Sequence, residues 1–592
     1  MKSFHKNILT VLIMLSLIAI FPVASASDAQ MLAIGSDAYE SMDMIYALAG
    51  KGTPSNSRPW SFAEARIILS RIDRSSLSPA GMALYDSMEN EIGSYPRWSL
   101  GEDFHFSAGL TFNPEIYAHA NTAFNQENDW IRGFEDREHA IEADLEMDIG
   151  DFFYTYCDLM YGYGRYGASD EDAGNYIRTD EYLSQLAAAD PDGVYDLNMI
   201  GTVDGLSNMF SSKAAYFHTV PFLFNFPDKS ANFDFQWPKR AILHLGGKNW
   251  NIGVGRDRLD WGNSHIGNMV IDDHVDYHDY FRLEAFTDRF KYDFLTLFFE
   301  TANSNSEQKT QNVKMLLAHR LEFRFYHWLT FSISENVMYQ TDIMDFGFLN
   351  PAMIYHNLNN RSMFNAIAHA ELDIQLARGI NIYGQFCLDQ AKAPNEDESQ
   401  QGAWGLLGGM ELTCDLGSCI LNSSLECAYT TPMLYRRDGV DFLMMMRTFS
   451  LWTVSYITTF DYIGFPYGGD SVVADWSNAL VIPGICKLGL NLRASFHGEM
   501  TIYQSHNSGG DNNDMANRQL KALSGNKLLQ VYSASLFADT CLNDWIGGFA
   551  WPEIDSWLQA DYIQKVEYQK DSSIASNLGA DFQLTAGFGI SL

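Results

Sequence analysis

Apolar and polar side chains alternate with a period of two residues along most of this 592-residue chain. The alternation begins near Asp103 and is clearest in residues 141–149, 313–325, 366–376 and 578–592. A period of two places successive side chains on opposite faces of a strand, so each segment has one apolar and one polar face. Each segment spans about ten residues or more, which a tilted strand needs to cross a membrane. The pattern therefore predicts an all-β transmembrane barrel.

The connections between these segments give a second indication of a barrel. Short turns are predicted at 150–151, 246–248, 378–379 and 416–418. The long polar connections are 125–138, 164–239, 257–279, 302–312, 341–364, 391–402 and 431–441. Alternating short and long connections are typical of outer-membrane barrels, and they predict about 18 antiparallel strands, with roughly 16 to 20 allowed. Residues 442–462 can form either one strand or a hairpin.

Two soluble all-β folds are the alternatives to a membrane barrel. The strands of a β-sandwich are shorter, about five or six residues. A propeller needs a repeat of about 40 to 50 residues, and the sequence has no such repeat.

The N-terminus has the pattern of a secretory signal peptide, predicted to comprise residues 1–26. Lys2 and Lys6 precede the apolar run Ile8–Phe21, and the small residues Ala24-Ser25-Ala26 follow it. This order of a basic region, a short apolar region and an A-x-A site predicts cleavage after Ala26. Export of a β-barrel predicts an outer-membrane location.

Residues 27–97 are predicted to form a small periplasmic helical domain, ahead of a barrel domain in residues 98–592. Apolar residues recur at helical spacing after Asp37, after Ser61 and after Ser78. Ser61-x-x-Glu64 is a capping box, and Ser78-Pro79 places an N-cap before a proline at the first helical position. Gly50 is the predicted C-terminal stop of the first helix.

Charge and motifs exclude several functions. The net charge of −35 argues against a nucleic-acid partner, which would need a basic surface. The sequence has no G-x-S-x-G, H-E-x-x-H or P-loop motif, so neither an enzyme nor a cofactor is predicted. The seven cysteines include no C-x-x-C pair, their odd number leaves at least one thiol unpaired, and most are expected to be small apolar fillers in strands.

Several short motifs occur in an order that resembles one family over most of the mature chain. They are Asp37-Ala-Tyr39 with Leu48, Arg58-Pro-Trp-Ser61 with Glu64, Gly253–Gly262, Asn268–Ile271, His319–Glu322, and Phe348-Leu-Asn-Pro351 with Tyr355-His356. This series resembles the Wzi-type capsule-assembly proteins. The resemblance implies an 18-stranded outer-membrane barrel with a periplasmic helical bundle, and a lectin that holds capsular polysaccharide. One departure is Asn263-Ser264, where the family usually has proline and glycine after the Trp-Gly step.

A glycan site is predicted where a strand enters a long loop. Planar Arg side chains, carboxylates and aromatic faces are the groups that suit a sugar. The predicted glycan-binding residues are Arg256, Arg258, Asp260, Trp261, Asn350, Tyr355 and His356. The structural alternative is a tryptophan of the aromatic belt with a lumen ion pair, and a loop (350–356) that folds against the barrel wall.

A divalent-cation site is a second hypothesis. Carboxylate and imidazole ligands are concentrated within eight residues, and those predicted to bind metal are Asp272, Asp273, His274, Asp276 and His278. The structural alternative is a solvated acidic loop.

Three functions follow from these observations. The first is a non-enzymatic outer-membrane protein that binds or organises a surface polysaccharide, with that polysaccharide and membrane lipid as partners. The second is a porin-like channel for small solutes, because charges of both signs are expected to face the lumen. These charges include Glu142, Asp144, Lys314, Arg320, Glu322 and Arg324. The third is an outer-membrane enzyme assembled from distant strands.

Overall fold

The backbone forms a closed barrel of 18 antiparallel strands with a small helical part at its N-terminal end. The computed structural model describes residues 23–101, 103–124, 129–133, 136–163, 209–211, 222–225, 233–236, 238–299, 313–341, 346–355, 363–390, 402–435, 442–449, 456–500, 521–543 and 552–592. Residues 1–22 of the predicted signal peptide, and most of the predicted loops 164–239, 302–312 and 391–402, lie outside these ranges.

The wall strands follow one another in sequence order, and the last pairs with the first. They are β1 Phe104–Phe112 (continued by Glu115–His119), β2 Ile141–Ile149, β3 Phe153–Tyr163, β4 Ala241–Gly247, β5 Trp250–Asp257, β6 His278–Phe286, β7 Phe290–Phe299, β8 Val313–Tyr326, β9 Leu329–Thr341, β10 Met363–Ala377, β11 Ile380–Gln390, β12 Ala403–Asp415, β13 Ile420–Thr430, β14 Ser471–Ile482, β15 Cys486–His497, β16 Lys527–Cys541, β17 Glu553–Gln569 and β18 Ile574–Ser591. Leu584 of β18 lies opposite Ala118, and Ile590 lies opposite Phe112, which closes the barrel. The predicted strand number of about 18 is confirmed.

One end of the barrel carries short turns, and both termini of the barrel lie there. We call it the turn end and the opposite end the loop end. The predicted turns at 150–151, 246–248, 378–379 and 416–418 all lie at the turn end. The short-long alternation fails at the C-terminus, because 542–552 is a longer connection at the turn end and 570–573 a short one at the loop end.

For residues 442–462 the sequence allowed either one strand or a hairpin. The structure has two paired strands there, and they are not part of the barrel wall. Leu443–Phe449 pairs antiparallel with Tyr456–Tyr462. This hairpin belongs to a separate small sheet that includes Met209–Ser211.

The two faces of the wall differ as the alternation predicts. Leu145, Phe325, Leu372 and Phe582 point outward and are 44% to 65% exposed. Most strands contribute such outward residues, so apolar surface encircles the molecule. A patch of this size is far larger than soluble monomers expose, and it indicates contact with membrane lipid. On β8 the alternate residues, including Arg320, are buried and face the lumen.

The helical part contains three α-helices: α1 Asp37–Leu48, α2 Phe62–Ser70 and α3 Pro79–Glu91. The Ser61 hydroxyl accepts the backbone N–H of Glu64 at 3.2 Å, as the capping box predicts. Gly50 has a φ of +69° just beyond α1, a conformation that glycine adopts without strain. No helix among the described residues is long and apolar enough to cross a membrane.

Backbone hydrogen bonds attach the helical part to three turns at the turn end. Gly52 N–H donates to the carbonyl of His327 and Gly379 N–H to that of Ala47, both at 2.8 Å. Ala80 N–H donates to the carbonyl of Gly417 at 3.2 Å. The helical part therefore lies across the turn end of the barrel.

Residues 55–60, between α1 and α2, enter the lumen and complete a buried ion network on β6 and β7. Arg282 contacts Asp293 at 2.5 Å and donates to the carbonyl of Pro59 at 2.8 Å. Lys291 contacts Glu64 of α2 at 2.8 Å and Glu284 at 3.0 Å. All five side chains are at most 2% exposed. A buried charge is costly unless it is paired, so the inserted segment and the wall stabilise one another.

The described residues of 120–140 form another inward fold, at the loop end beside the barrel closure. Glu115 accepts hydrogen bonds from the Arg132 guanidinium at 2.9 Å and from the Trp557 indole at 2.7 Å. The Arg137 guanidinium lies 4.1 Å from the ring centroid of Tyr117 and 4.7 Å from that of Trp130. These contacts fill the lumen beside β1, β17 and β18.

Replacing Lys291 tests the contact between the helical part and the wall. In Lys291→Met, Glu64 loses its ion-pair partner and Glu284 keeps Arg282 at 2.9 Å, in a buried site. We expect a loss of about 3–5 kcal/mol in unfolding free energy, measured by urea titration of tryptophan fluorescence in detergent. Adding Glu64→Gln should recover part of this loss.

The matched control is Arg289→Met, because Arg289 forms an exposed pair with Asp288 at 3.6 Å on the neighbouring turn. An exposed pair contributes about 0–1 kcal/mol. Equal losses in the two variants would contradict a buried network that depends on Lys291.

Candidate functional site

The connection 258–277, from the loop end of β5, folds into the lumen and meets the N-terminal segment there. Asp260–Trp261 pairs antiparallel with Ser57–Arg58. Gly262 N–H donates to the carbonyl of Asn56 at 2.7 Å, and Trp261 N–H donates to that of Ile271 at 3.0 Å. Segments that enter from opposite ends of the barrel thus form one small sheet inside it.

Gly262 is required at this position. Its φ is +147°, and a Cβ placed there would lie 1.8 Å from Oδ1 of Asn268. A larger residue would displace Asn268, whose side chain donates to Asp260 at 2.5 Å. The Trp-Gly step therefore has a packing reason.

Polar side chains of the wall hold the backbone of the inserted loop. Glu426 of β13 accepts the N–H groups of His265 and Ile266 at 3.0–3.1 Å. Gln385 of β11 accepts the N–H of Met269 at 3.0 Å. Asn263 donates to Asp373 of β10 at 2.8 Å, so this departure from the family pattern has a wall partner.

A second loop-end connection packs on the first. Tyr435 donates its hydroxyl proton to the carbonyl of Met269 at 2.5 Å and accepts the N–H of Phe465 at 3.0 Å. Asp272 N–H donates to the carbonyl of Ile463 at 3.0 Å. These contacts belong to one buried apolar cluster, whose members include Trp261, Ile266, Val270, Ile271, Leu434, Phe442 and Phe465. This cluster occupies the outer part of the lumen beside β6 to β13.

Four of the predicted glycan-binding residues belong to the motif Gly253–Gly262. The structure places them on different faces of β5 and of the loop that follows it. Arg256 lies on the outer face of β5 at its loop end, forms a two-point pair with Asp279 at 2.7 and 2.8 Å, and stacks 3.7 Å over Tyr277. Arg258 is exposed, whereas Asp260 is buried in the lumen. Trp261 is fully buried in the apolar cluster, so its ring is covered by protein.

The residues from the second motif lie elsewhere, against the outside of the wall. Tyr355 stacks on His319 with ring centroids 5.2 Å apart, and its N–H donates to Glu335 at 3.1 Å. The carbonyl of Pro351, next to the exposed Asn350, accepts a hydrogen bond from the Tyr292 hydroxyl. The segment thus covers β7–β9 on the outside of the barrel. This is the structural alternative given above, a loop that folds against the barrel wall. His356 lies outside the described residues.

The five residues predicted to bind metal divide into two groups. Asp272 and Asp273 join Asp260, and one carboxylate oxygen of each lies within 4.8 Å of the others. Asp276 instead pairs with Lys239 at 2.9 Å, and the Nδ1 of His278 accepts the N–H of Leu259 at 3.2 Å. A carboxylate cluster alone does not identify a cation site, so the metal site stays a prediction.

Electrostatics in the inserted loop reflect burial. Burial raises the pKa of Asp260 and Asp273, and repulsion from the neighbouring carboxylates raises both further. Burial alone would lower the pKa of His274, but its hydrogen bonds with Asp272 and Asp461 outweigh burial and raise it to about 10. His274 therefore links the two inward-folded connections, through Asp272 at 2.6 Å and Asp461 at 3.6 Å.

Sequence reasoning missed the residues that hold the loop in the lumen. Gln385, Glu426 and Tyr435 come from separate parts of the chain and match no motif, and the motif Asn268–Ile271 did not indicate the role of Asn268. The alternation of the strands could predict that Gln385 and Glu426 point inward. It could not predict that they would bind backbone N–H groups of the inserted loop.

Comparison with known proteins places the fold. No family model and no curated protein sequence matches the chain. The structure of Wzi, an outer membrane protein involved in group 1 capsule assembly in Escherichia coli, superposes with a TM-score of 0.53 at 11% identity, covering 95% of this chain and 99% of that one. OpdO and OprD of Pseudomonas aeruginosa give TM-scores of 0.37 and 0.34 at 9% and 8% identity, covering 82% of this chain and 97% and 94% of theirs. The resemblance to Wzi-type proteins is confirmed in the fold.

The pKa values of the inserted loop predict a pH dependence of stability. A carboxyl group with a raised pKa binds its proton more tightly in the folded state, so stability falls as pH rises from about 4 through the raised pKa. The stabilisation from His274 is complete below about pH 6.5 and is lost as pH rises through about 10. Both effects predict a higher urea midpoint at pH 5 than at pH 9.

Asp273→Asn removes one of the repelling carboxylates and should reduce this difference. The control is Asp571→Asn, at a side chain exposed in the loop-end turn. Identical pH profiles for Asp273→Asn and the wild type would show that the carboxylate cluster does not set the dependence.

Proposed function

We propose that the protein is a non-conducting outer-membrane barrel that binds or organises a surface polysaccharide and has no enzymatic activity. Residues 1–26 would be the signal peptide, residues 27–97 a periplasmic domain, and residues 98–592 the barrel. With residues 27–97 in the periplasm, the turn end of the barrel faces the periplasm and the loop end faces the outside of the cell.

The observation that carries the proposal is the closure of the lumen. Among the described residues, the N-terminal segment fills the lumen from the turn end, and the connections 258–277 and 432–467 fill it from the loop end. The lumen-facing charges of β6 to β8 are buried and paired. An open pore would leave such charges in contact with water. The closed lumen therefore favours a binding protein over a porin-like channel.

Two further observations support a polysaccharide as the ligand. The Wzi structure is described as that of a carbohydrate-binding β-barrel, and the two chains share almost their full length. Arg256 and Asp279 at the loop end combine a planar cation with a carboxylate whose side chain is 41% exposed. This combination suits the hydroxyl groups of a sugar.

A closed lumen predicts a silent barrel in planar bilayers. The wild-type protein should give no steady ion conductance. Replacing 259–276 by a short Gly-Ser linker removes the inserted loop and its contacts with the apolar cluster, so steps of conductance should appear. Steady conductance of the wild-type protein, as large as that of the linker variant, would contradict the proposal and support the channel.

Binding should depend on the loop-end cluster. We expect the purified protein to bind an acid-extracted surface polysaccharide of its host on a sensor surface, and Arg256→Ala to weaken binding about tenfold or more, because a hydrogen bond to a charged group contributes about 1.5–3 kcal/mol. Arg289→Ala, at the turn end, is the matched control.

A deletion strain tests the role in the cell. It should shed polysaccharide into the medium while total synthesis stays unchanged, as quantified by uronic-acid and neutral-sugar assays of cells and supernatant. Normal retention in the deletion strain would count against the proposed function.

A further inference from the structure

A cavity of about 480 Å³ lies inside the lumen, between α1 and the wall. Asp37, Glu40 and Asp43 follow one another at helical spacing, and all three line it. The opposite side is formed by inward residues of β12 to β16, among them Glu411 and Ser424. Its volume lies within the range of about 300–1,000 Å³ that is usual for small-molecule sites.

The cavity is reached from the turn end. Asp37 at its mouth has a side chain that is 87% exposed, and Lys487 lies just after the short turn 483–485. At the inner end Asn263, His265 and Asp273 of the inserted loop close it. A ligand in this cavity would thus enter from the helical side and contact a loop from the opposite side.

Four polar atoms that face the cavity are buried and have no hydrogen-bond partner among the described residues. They are Oδ1 of Asn381, Oδ1 of Asp43, Oγ of Ser424 and Nε of Arg58. Asn381 is only 4% exposed, and its amide Nδ2 already donates to Asp373. Buried polar groups are normally satisfied, so these acceptors and donors indicate a partner that can both donate and accept. Hydroxyl groups do both.

The charge of the lining limits the class of ligand. Six acidic residues line the cavity, against four lysines and arginines. Three of the four cations are engaged: Arg58 with Asp43 at 2.7 Å, Lys487 with Glu40, and Arg493 with Asp475 at 2.8 Å. The fourth cation, Lys51, donates to the carbonyl of Arg71 at 2.6 Å. No lysine or arginine of the described lining is therefore left without a partner, which disfavours an anion and favours a neutral or cationic ligand.

An aromatic ring borders the cavity on β16. Phe537 lies over Gly489 of β15, where a Cβ would fall 1.9 Å from the ring. The glycine therefore provides the space in which the ring lies flat against the wall. An aromatic ring beside amides and carboxylates provides a sugar with both an apolar surface and polar partners.

We propose that this cavity is a second binding site, open at the turn end, for a neutral or amino sugar. The proposal rests on the cavity and its lining, and it is independent of polysaccharide binding at the loop end.

Calorimetric titration of the full chain tests it. The protein is purified in a detergent without a sugar headgroup and titrated with N-acetylglucosamine, glucosamine, glucose and glucuronic acid. We expect heats of binding for at least one of the first three sugars and about tenfold weaker binding of glucuronic acid, since each tenfold corresponds to about 1.4 kcal/mol.

Two variants locate the binding. Ser424→Ala removes an unpaired hydroxyl with little change in volume and should weaken binding about tenfold. Asp43→Asn keeps an acceptor for Arg58 and removes a charge. It should therefore reduce the difference in affinity between the other sugars and glucuronic acid. Asn577→Leu, at an exposed position near the loop end of β18, should leave binding unchanged.

The outcomes separate the two proposals. Sugar binding that survives Arg256→Ala but falls in Ser424→Ala supports the cavity site, whatever the result at the loop end. Absence of heat with all four sugars overturns the cavity site, as does binding that Ser424→Ala and Asp43→Asn leave unchanged while both variants retain the heat-modifiable migration of a folded barrel.

Discussion

The structure depends on the pairing of charges that the wall strands direct into the lumen. The outward alternation of apolar residues requires polar residues to alternate inward, and on β6 and β7 these include Arg282 and Lys291. Neither can be buried alone. Their partners come partly from the neighbouring strands and partly from Ser57, Pro59 and Glu64. These three residues precede the wall strands in the sequence. The helical part is therefore a component of the lumen, because without it the wall would hold unpaired charges.

The inserted loop follows the same logic from the other end. Its backbone groups leave water and are met by wall side chains such as Glu426 and Gln385. Its apolar residues pack against the hairpin connection, and Asp260–Trp261 joins Ser57–Arg58 edge to edge. Removing either inserted segment would expose polar groups of the other. This mutual dependence explains how a wall wide enough for a channel holds a closed core on the side of β5 to β13, with a polar cavity left on the side of β12 to β16.

The sequence predicted those features that local chemistry determines. A period of two predicted the wall and its outward face, and Ser61 and Ser78 predicted where helices begin. It did not predict the course of 258–277, because a polar loop has the same composition whether it faces bulk water or the polar lining of a lumen. Trp261 was a plausible sugar contact for its residue type, yet the strand it forms with Ser57 takes it into the core. Asn350 and Tyr355 were predicted to bind glycan together with Arg256, yet they lie over β7 to β9 whereas Arg256 lies on β5.

The central claim is that 258–277 is held inside the lumen against the N-terminal segment. Hydrogen–deuterium exchange of the barrel in lipid nanodiscs, followed by mass spectrometry of peptides from this region, tests it most directly. The amides of Trp261, Gly262 and Met269 donate to Ile271, Asn56 and Gln385, so their exchange should be as slow as that of the adjoining wall strands. Exchange at the rate of an unstructured peptide would place the loop in water and contradict the closed lumen.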